Sequence, residues 1–452
     1  MAQDAEDRQP RERIGARAER QRPVRHSAKP VHGRRTLRVL ATTLIFILSF
    51  STAGFGLGYN RLQGNIQQPN IDEFLGTARP TMPTPEPTEA YGDPAAGRAL
   101  NVLVLGSDSR GGDNAALDGS GDTGGMRADT TMLAHISADR SHVDIVSIPR
   151  DTLVDIPACR LPDGTMSRPQ TNAMFNSAFA IGGASGDVGA AAACAILTVE
   201  ELTGIYIDDF VVVDFTGFIN VVDALGGIAM YIPEDIVDPR ADLELEAGCR
   251  LLDGHDALGL ARARKSLGDG SDISRIGRQQ DIVMKIIEEA LSSRLLTDPI
   301  RLYRVLDVST QTLTTSEGFG DIPQLIGLAN ALSGINSESI TLVTMPFDWA
   351  GNRVAVSRSY VPYVWESLLA DEPLDSAISG AGYLIAQAGV PMWSQRDPTP
   401  PPEVTAPAEE IAEPAVIEDE SDAESTDAGD PEFAVSPEPP DPADSCTKEN
   451  AT

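Results

Sequence analysis

The chain has 452 residues, a formal net charge of −32, four cysteines and five histidines. A strongly acidic chain is a poor partner for the phosphate backbone of nucleic acids, so the composition argues against a nucleic-acid-binding protein. The length alone would allow two or three domains, but the composition of the two ends reduces the folded part to one domain.

The first 59 residues predict a basic head and a membrane anchor. Residues 1–38 hold eleven arginines and lysines against five acids, so we expect a disordered cytoplasmic segment. Residues 39–59 carry no charge, and at about 1.5 Å per residue they could form a transmembrane helix. A cleaved signal peptide is the alternative. The long basic head and the lack of an A-x-A site favour a single-pass anchor in the cell membrane, with the folded domain extracytoplasmic.

Two further segments lack the pattern of a folded domain. Residues 60–97 include a proline-rich patch and predict an extracytoplasmic linker. Residues 396–452 form an acidic, proline-rich tail. Residues 397–452 hold 17 acids and one lysine, half of the net charge of the chain, which predicts disorder. One domain, residues 98–395, remains between them.

Charged residues lie at the ends of the first three predicted strands of this domain, residues 103–105, 130–136 and 143–148. At strand ends in an open sheet, acids and arginines often point into a ligand crevice. Carboxylates can hold a hard divalent metal, and arginines can fork onto phosphate, so the set predicts a phosphate-bearing substrate. Turn residues and surface salt bridges are the alternative. The residues are Asp108, Arg110, Arg127, Asp129, Arg150 and Asp151.

The rest of the domain alternates helices with apolar strands, which predicts an α/β or layered α+β fold with a central mixed sheet flanked by helices. Arg275 and Gln279 are four residues apart and share a face near the start of a helix, where the dipole favours an anion. Arg262 and Arg264 follow the helix 253–261. The other predicted helices are 172–180, 190–202, 218–225, 282–295, 300–308, 322–332 and 361–369, and the other strands are 209–215, 228–232 and 340–345.

The four cysteines follow the predicted anchor and allow three full pairings. We prefer Cys159 with Cys194, because both would lie near the third strand and the helices after it. Cys446 lies in the tail and could stay free. No Cys/His spacing fits a zinc site, and the five scattered histidines predict no ligand cluster.

Seven segments of the domain form a recognisable series: GSDSR at 106–110, RADT at 127–130, SIPRDT at 147–152, TNAMFNSAFAIGG at 171–183, DFTGFINVVDALGGI at 214–228, LDGHDALGLARAR at 252–264 and SDISRIGRQQ at 271–280. In these segments and their order the chain resembles the LytR–CpsA–Psr family of bacterial cell-envelope proteins. The resemblance implies a hydrophobic tunnel that holds a polyprenyl chain between sheet and helices, whereas without it the apolar helix faces would simply cover the sheet.

The resemblance also implies an activity, the transfer of a glycan polymer from a polyprenyl-pyrophosphate carrier to the muramic acid C6 hydroxyl of peptidoglycan, with a phosphodiester as product. It assigns Mg²⁺, with Mn²⁺ as a possible substitute, to Asp108 and Asp129. Asp151 or a metal-binding aspartate could act as base. The pyrophosphate-binding residues are Arg110, Arg127, Arg150, Arg262, Arg264, Arg275 and Gln279, and the catalytic candidates are Arg150, Asp151, Arg262 and Arg264.

Two other functions stay open. A lipid pyrophosphatase would use the same metal and arginines with water as acceptor, and a non-enzymatic regulatory protein of the envelope would need no metal. The glycan is also open among arabinogalactan, teichoic-type polymers and capsule, and the lysine-poor, alanine-rich composition favours arabinogalactan or a related wall polymer.

Overall fold

The chain forms two compact units, Met1–Gly58 and Tyr59–Thr452. The predicted basic head up to residue 32 and the acidic segment 396–445 lie outside the described residues. The computed structural model describes residues 33–77, 79–84, 93, 95–108, 126–263, 272–316, 320–351, 353–374, 446–448, 450 and 451.

Several helices begin at an aspartate that caps the first turn, a signal that can be read from the sequence. The carboxylates of Asp187, Asp214 and Asp253 each accept a hydrogen bond from the backbone N–H three residues further on, which satisfies a free N–H of the first turn. Asp298 caps another helix, and Pro299 occupies its first position. The helices are α1 Gly33–Asn65, α2 Asp72–Leu75, α3 Asn176–Gly182, α4 Val188–Thr203, α5 Phe215–Leu225, α6 Gly254–Arg262, α7 Asp272–Ala290, α8 Ser293–Leu296, α9 Pro299–Thr312, α10 Ile322–Ala331 and α11 Val361–Leu369.

The strands are β1 Leu100–Ser107, β2 Ala128–Ile136, β3 Val143–Ser147, β4 Thr152–Ile156, β5 Gln170–Met174, β6 Asp209–Asp214, β7 Ile228–Ile232, β8 Ile236–Asp238, β9 Leu243–Leu245, β10 Gly248–Leu252, β11 Leu313–Thr315, β12 Ile340–Thr344, β13 Phe347–Ala350 and β14 Arg353–Val356. The central sheet has the order β11-β6-β1-β2-β3-β12. Strand β1 is parallel to β6 and antiparallel to β2, so the sheet is mixed, which confirms the predicted architecture. The strands β13-β14-β4-β5 form a second sheet.

The alanine-rich helix α4 belongs to the main core, on one face of the central sheet. Leu103 and Leu105 of β1 belong to the same core and are fully buried. Cys159 and Cys194 form a disulfide within this core, so the preferred pairing is confirmed. The helices α3 and α4 also touch directly, since a Cβ at Gly182 would lie 2.1 Å from a backbone oxygen of α4.

The expectation that Cys446 stays free is wrong, because Cys446 is bonded to Cys249 of β10. The Nζ of Lys448 lies 2.8 Å from Oε1 of Glu289 and donates to the carbonyl oxygen of Leu225. The last described residues of the chain are therefore fastened to β10, α5 and α7. A bond across 197 residues has no local signal in the sequence.

Two local predictions are also wrong. Residues 172–174, which were predicted as helical, pair with β4 as part of β5, and Asn172 takes a positive φ of 53°, so the helix starts only at Asn176. Residues 60–97 are not wholly a linker, because α1 continues to Asn65 and Ile71 and Leu75 are buried in the main core. Here burial outweighs the weak local pattern.

The predicted membrane span 39–59 lies within α1, which also includes residues 33–38 of the predicted head. In the part of the chain that the structure describes, no helix is long and apolar enough to cross a membrane.

Candidate active site

Three neighbouring strands of the central sheet change from apolar to acidic at the same level. Val104 of β1 lies opposite Met132 of β2 and Val211 of β6. Two residues along β1, Gly106 lies opposite Thr130 and Val213. Beyond this level the chain reaches Asp108, Asp129 and Asp214. The strand register therefore creates an apolar end and an acidic end on this part of the sheet.

Helix α7 repeats the same order. Arg275 and Gln279 lie in its first half, and Ile282 and Ile286 follow at helical spacing. The Gln279 Oε1 accepts a hydrogen bond of 3.0 Å from Oγ1 of Thr130, which places the polar half of α7 beside the acidic end of β2. The polar half of the helix therefore lies next to the acidic end of the sheet.

Between these elements lies a cavity of about 580 Å³. Its polar end holds Asp108, Asp129, Arg262, Arg275 and Gln279, five of the residues predicted from the sequence. The rest of its wall is mostly apolar, with Asp214, Asp238 and Arg240 as further charged residues. The remaining lining is Val104, Gly106, Ser107, Thr130, Met132, Val211, Val213, Asp214, Phe215, Phe218, Val221, Asp238, Arg240, Ala241, Leu258, Ala261, Ile282, Val283, Ile286, Ser309 and Leu313.

The two predicted metal-binding aspartates are held by different contacts. Asp108 is only 7% exposed, and its Oδ1 accepts a hydrogen bond of 2.7 Å from the backbone N–H of Arg127, while its own N–H donates to the Arg127 carbonyl. The side chain of Arg150 donates from Nη1 to Oδ1 of Asp129 at 2.7 Å. Oδ1 of Asp151 lies 3.8 Å from the Arg150 Nε. One chain of contacts therefore joins Asp151, Arg150 and Asp129.

Two arginines bring positive charge into the cavity. Arg275 is 3% exposed, so its charge lies in a largely water-free part of the wall. The guanidinium of Arg262 lies 4.7 Å from the centre of the Phe215 ring, a cation–π contact that fixes its orientation. Arg278, which the sequence analysis did not single out, is fully buried and donates to the carbonyl oxygens of Leu260 and Ala263, so it anchors the end of α6 that carries Arg262.

The remaining predicted residues have other positions. Arg150 and Asp151 lie beside the cavity through the contacts with Asp129, and the side chain of Arg127 is exposed. Arg110 and Arg264 lie outside the described residues. Asp214, Asp238 and Arg240 also lie in the cavity wall and were not predicted from the sequence. The signal for Asp214 was its place between an apolar strand and a helix, where it caps α5 and also faces the cavity.

The model of the LytR_cpsA_psr family matches residues 70–370. The chain belongs to this family. The matched range includes Ile71 and Leu75, the buried residues of the segment that had been predicted as a linker.

Among its family relatives, the chain is 33% identical over 258 residues to the probable cell wall biosynthesis protein LcpB of Corynebacterium glutamicum, covering 56% of each protein. It is 27% identical over 259 residues to the polyisoprenyl-teichoic acid–peptidoglycan teichoic acid transferase TagT of Bacillus subtilis, covering 56% of this chain and 70% of TagT. The chain thus spans about half the length of LcpB and of the related cell wall biosynthesis protein LcpA. The crystal structure of B. subtilis TagV is similar to it with a TM-score of 0.46 and 22% identity, covering 61% of this chain and 97% of TagV.

Proposed function

We propose that the protein transfers a glycan polymer from a polyprenyl-pyrophosphate carrier to peptidoglycan, with a phosphodiester as product. The observation that carries the proposal is the cavity, which joins an end of aspartates and arginines to an apolar end. This shape fits a ligand with a charged diphosphate head and a hydrocarbon chain. The relative TagT is named as a transferase that carries out a transfer of this kind, of teichoic acid from a polyisoprenyl carrier to peptidoglycan.

The arginines of the cavity would hold the diphosphate of the lipid carrier. Arg262 and Arg275 line the cavity, and a planar guanidinium can donate two parallel hydrogen bonds to phosphate oxygens. Phosphoryl transfer asks the protein mainly to position groups and to neutralise charge. Because Arg275 is nearly excluded from water, its attraction for a developing negative charge would be stronger than at the surface.

The aspartates fit a hard divalent cation, because oxygen ligands are what Mg²⁺ prefers and both carboxylates line the cavity. Asp108 and Asp129 would hold Mg²⁺, or Mn²⁺ in its place, and the bound ion would neutralise phosphate oxygens. The Oδ1 of Asp108 accepts a hydrogen bond from the Arg127 N–H, which orients the carboxylate. Asp129 is 32% exposed at its side chain and is oriented by Arg150.

The apolar end would hold the polyprenyl chain. Its wall includes Phe218, Val221 and Leu258 on the helices and Val211 and Met132 on the sheet. Burial of hydrocarbon contributes about 0.8 kcal/mol per methylene, so a few isoprene units would already account for selective binding of a lipid carrier. We therefore propose that this cavity is the hydrophobic tunnel predicted from the sequence.

The acceptor would be the C6 hydroxyl of muramic acid in peptidoglycan. Its proton needs a base at the polar end, and Asp151, the carboxylate linked through Arg150 to Asp129, is the candidate. Arg264, which lies outside the described residues, stays a predicted catalytic residue. For the donor we propose a wall polymer of the arabinogalactan type, with teichoic acid as the second substrate to assay.

The proposal is tested with the full-length protein, a lipid-linked glycan and Mg²⁺, with and without peptidoglycan. We expect glycan bound to peptidoglycan only when the acceptor is present, and loss of this product for Asp108→Asn and Asp129→Asn. Release of glycan phosphate at the same rate without peptidoglycan would mean a pyrophosphatase. Full function of both aspartate variants in cells would mean a regulatory protein without metal chemistry.

We also propose a single-pass anchor at residues 39–59, with the N-terminus in the cytoplasm and the catalytic domain outside. The support is the uncharged sequence of that segment and the three arginines Arg34, Arg35 and Arg38 before it. Protease added to intact spheroplasts should digest the domain and leave an N-terminal epitope protected. Complete protection of the domain would contradict this orientation.

A further inference from the structure

Two histidines and two aspartates meet at the end of the β2–β3 hairpin, away from the cavity. Asn101 of β1, His135 of β2 and Asp144 of β3 are direct neighbours across the strands, so their side chains share one face of the sheet. His142 immediately precedes β3, and Asp371 follows α11 in a left-handed conformation with φ 58°. The sequence predicted no histidine cluster, and this prediction is wrong, because the β2–β3 hairpin brings His135 and His142 together and Asp371 reaches them from a distant part of the chain.

The hydrogen bonds determine which nitrogen of His135 carries the proton. The Nδ2 of Asn101 donates to the carbonyl oxygen of Tyr206 at 3.0 Å, so the amide oxygen of Asn101 faces Nδ1 of His135 at 2.8 Å. An oxygen can only accept, and Nδ1 must therefore donate. In the neutral ring Nε2 then carries a lone pair, yet it lies 3.0 Å from Oδ1 of Asp371, another acceptor. Such a pair is satisfied either by a second proton on the ring or by a metal ion bound to both atoms.

The second histidine also faces a carboxylate. Nδ1 of His142 is hydrogen-bonded to Oγ of Ser141, and Nε2 lies 3.5 Å from Oδ2 of Asp144. Within the described residues neither Nε2 of His142 nor Oδ2 of Asp144 has a hydrogen-bond partner, although Asp144 is 0% exposed.

From this geometry we infer that His135, His142 and Asp371, joined by Asp144, bind a structural Zn²⁺. Ligand atoms from the first three residues lie within 4.8 Å of one another, and among the described residues no other group of three metal-ligand side chains comes together in this way. Imidazole nitrogens with carboxylate oxygens suit Zn²⁺, whereas Mg²⁺ prefers oxygen alone. Asn101 supplies the second contact that a zinc-bound histidine commonly has, an acceptor for its other N–H.

The site is separate from the proposed active site. Along β1, Asn101 shares a face with Leu103 and Leu105 of the main core, while Val104 of the other face lines the cavity. Seven residues separate Asn101 from Asp108, which is about 20 Å along an extended strand. The ion would fasten the end of α11 to the β2–β3 turn, where Asp371 already accepts a hydrogen bond from the backbone of Ala138.

The test uses the full-length protein in detergent, without a polyhistidine tag and under oxidising conditions that keep all four cysteines in disulfides. Bound zinc is removed with a zinc-selective chelator in excess Mg²⁺, and Zn²⁺ or Co²⁺ is then added. We expect one ion per chain, visible Co²⁺ absorption of tetrahedral type, and a Tm that rises by about 5 °C at a hundredfold excess of Zn²⁺ over its Kd.

The variants His142→Gln and Asp371→Asn should bind Zn²⁺ at least about tenfold more weakly. His255→Gln, a change of an exposed histidine on α6, should bind as the parent does. The metal-free Tm of each variant shows whether it is folded, and the Co²⁺ spectrum of the parent is informative even if one variant is not. Parent protein that binds no zinc, or equal binding by all variants, would overturn the inference. A Tm that responds to acidification and not to Zn²⁺ would also overturn it, since protonated histidines would then be the cations.

Discussion

Replacing Arg150 by alanine separates a role in transfer from a role in folding. Its Nη1 donates to Oδ1 of Asp129 at 2.7 Å, a charge-assisted hydrogen bond that orients a proposed metal ligand. The same change also removes a positive charge from beside the proposed diphosphate site. We therefore expect the rate of transfer to fall about 10²-fold or more, the loss measured elsewhere for one donor to a developing anion.

The effect on stability should be much smaller. The side chains of Arg150 and Asp129 are 16% and 32% exposed, so water screens the ion pair partly and its contribution to folding should be about 0.2–1 kcal/mol. The expected loss of transition-state stabilisation, about 2.7 kcal/mol or more, exceeds this severalfold.

The assay measures initial transfer rates from a lipid-linked glycan to peptidoglycan at saturating Mg²⁺, together with urea denaturation of the same preparations. Arg168→Ala is the matched control, because Arg168 is exposed and does not line the cavity. It should leave both quantities unchanged. A rate for Arg150→Ala within about twofold of the parent would refute the reasoning, since a donor at the developing charge contributes far more. A stability loss as large as the rate effect would refute it too.

Three further predictions concern the core and the cavity. Replacing Cys159 and Cys194 together by alanine should lower the free energy of unfolding by about 4 kcal/mol, because the bond closes a loop across 35 residues; urea denaturation measures the loss, and less than about 1 kcal/mol would count against it. Gly182→Ala should cost about 1–3 kcal/mol, seen as a lower Tm, since its Cβ would lie 2.1 Å from a backbone oxygen of α4. Val221→Trp should displace about two methylenes from the apolar end and weaken binding of a polyprenyl phosphate about tenfold; unchanged binding, measured by lipid titration, would contradict a lipid site there.

The sequence predicted those parts of the fold that have strong local patterns. The apolar runs that became β1, β2, β3 and β6 are long enough to identify strands, and aspartate caps identify several helices. The strands of the second sheet were missed because they are short and their pairing is non-local. Strand β14, for example, pairs with β4, about two hundred residues earlier in the chain.

The sequence predicted the site residues that stand next to strands, but not those that tertiary packing brings to the cavity. Asp108 and Asp129 stand next to strands, so their place at a sheet edge follows from the pattern. Asp238 and Arg240 reach the same cavity from a small β-ribbon whose position depends on tertiary packing. The cluster of His135 and Asp371 escaped prediction for a similar reason, since 236 residues separate the two side chains.

The bond between Cys249 and Cys446 gives the polypeptide a closed covalent topology instead of a linear one. All residues between the two cysteines therefore belong to one covalent ring, which the disulfide closes at β10. A single proteolytic cut within that ring would release no fragment until the disulfide was reduced.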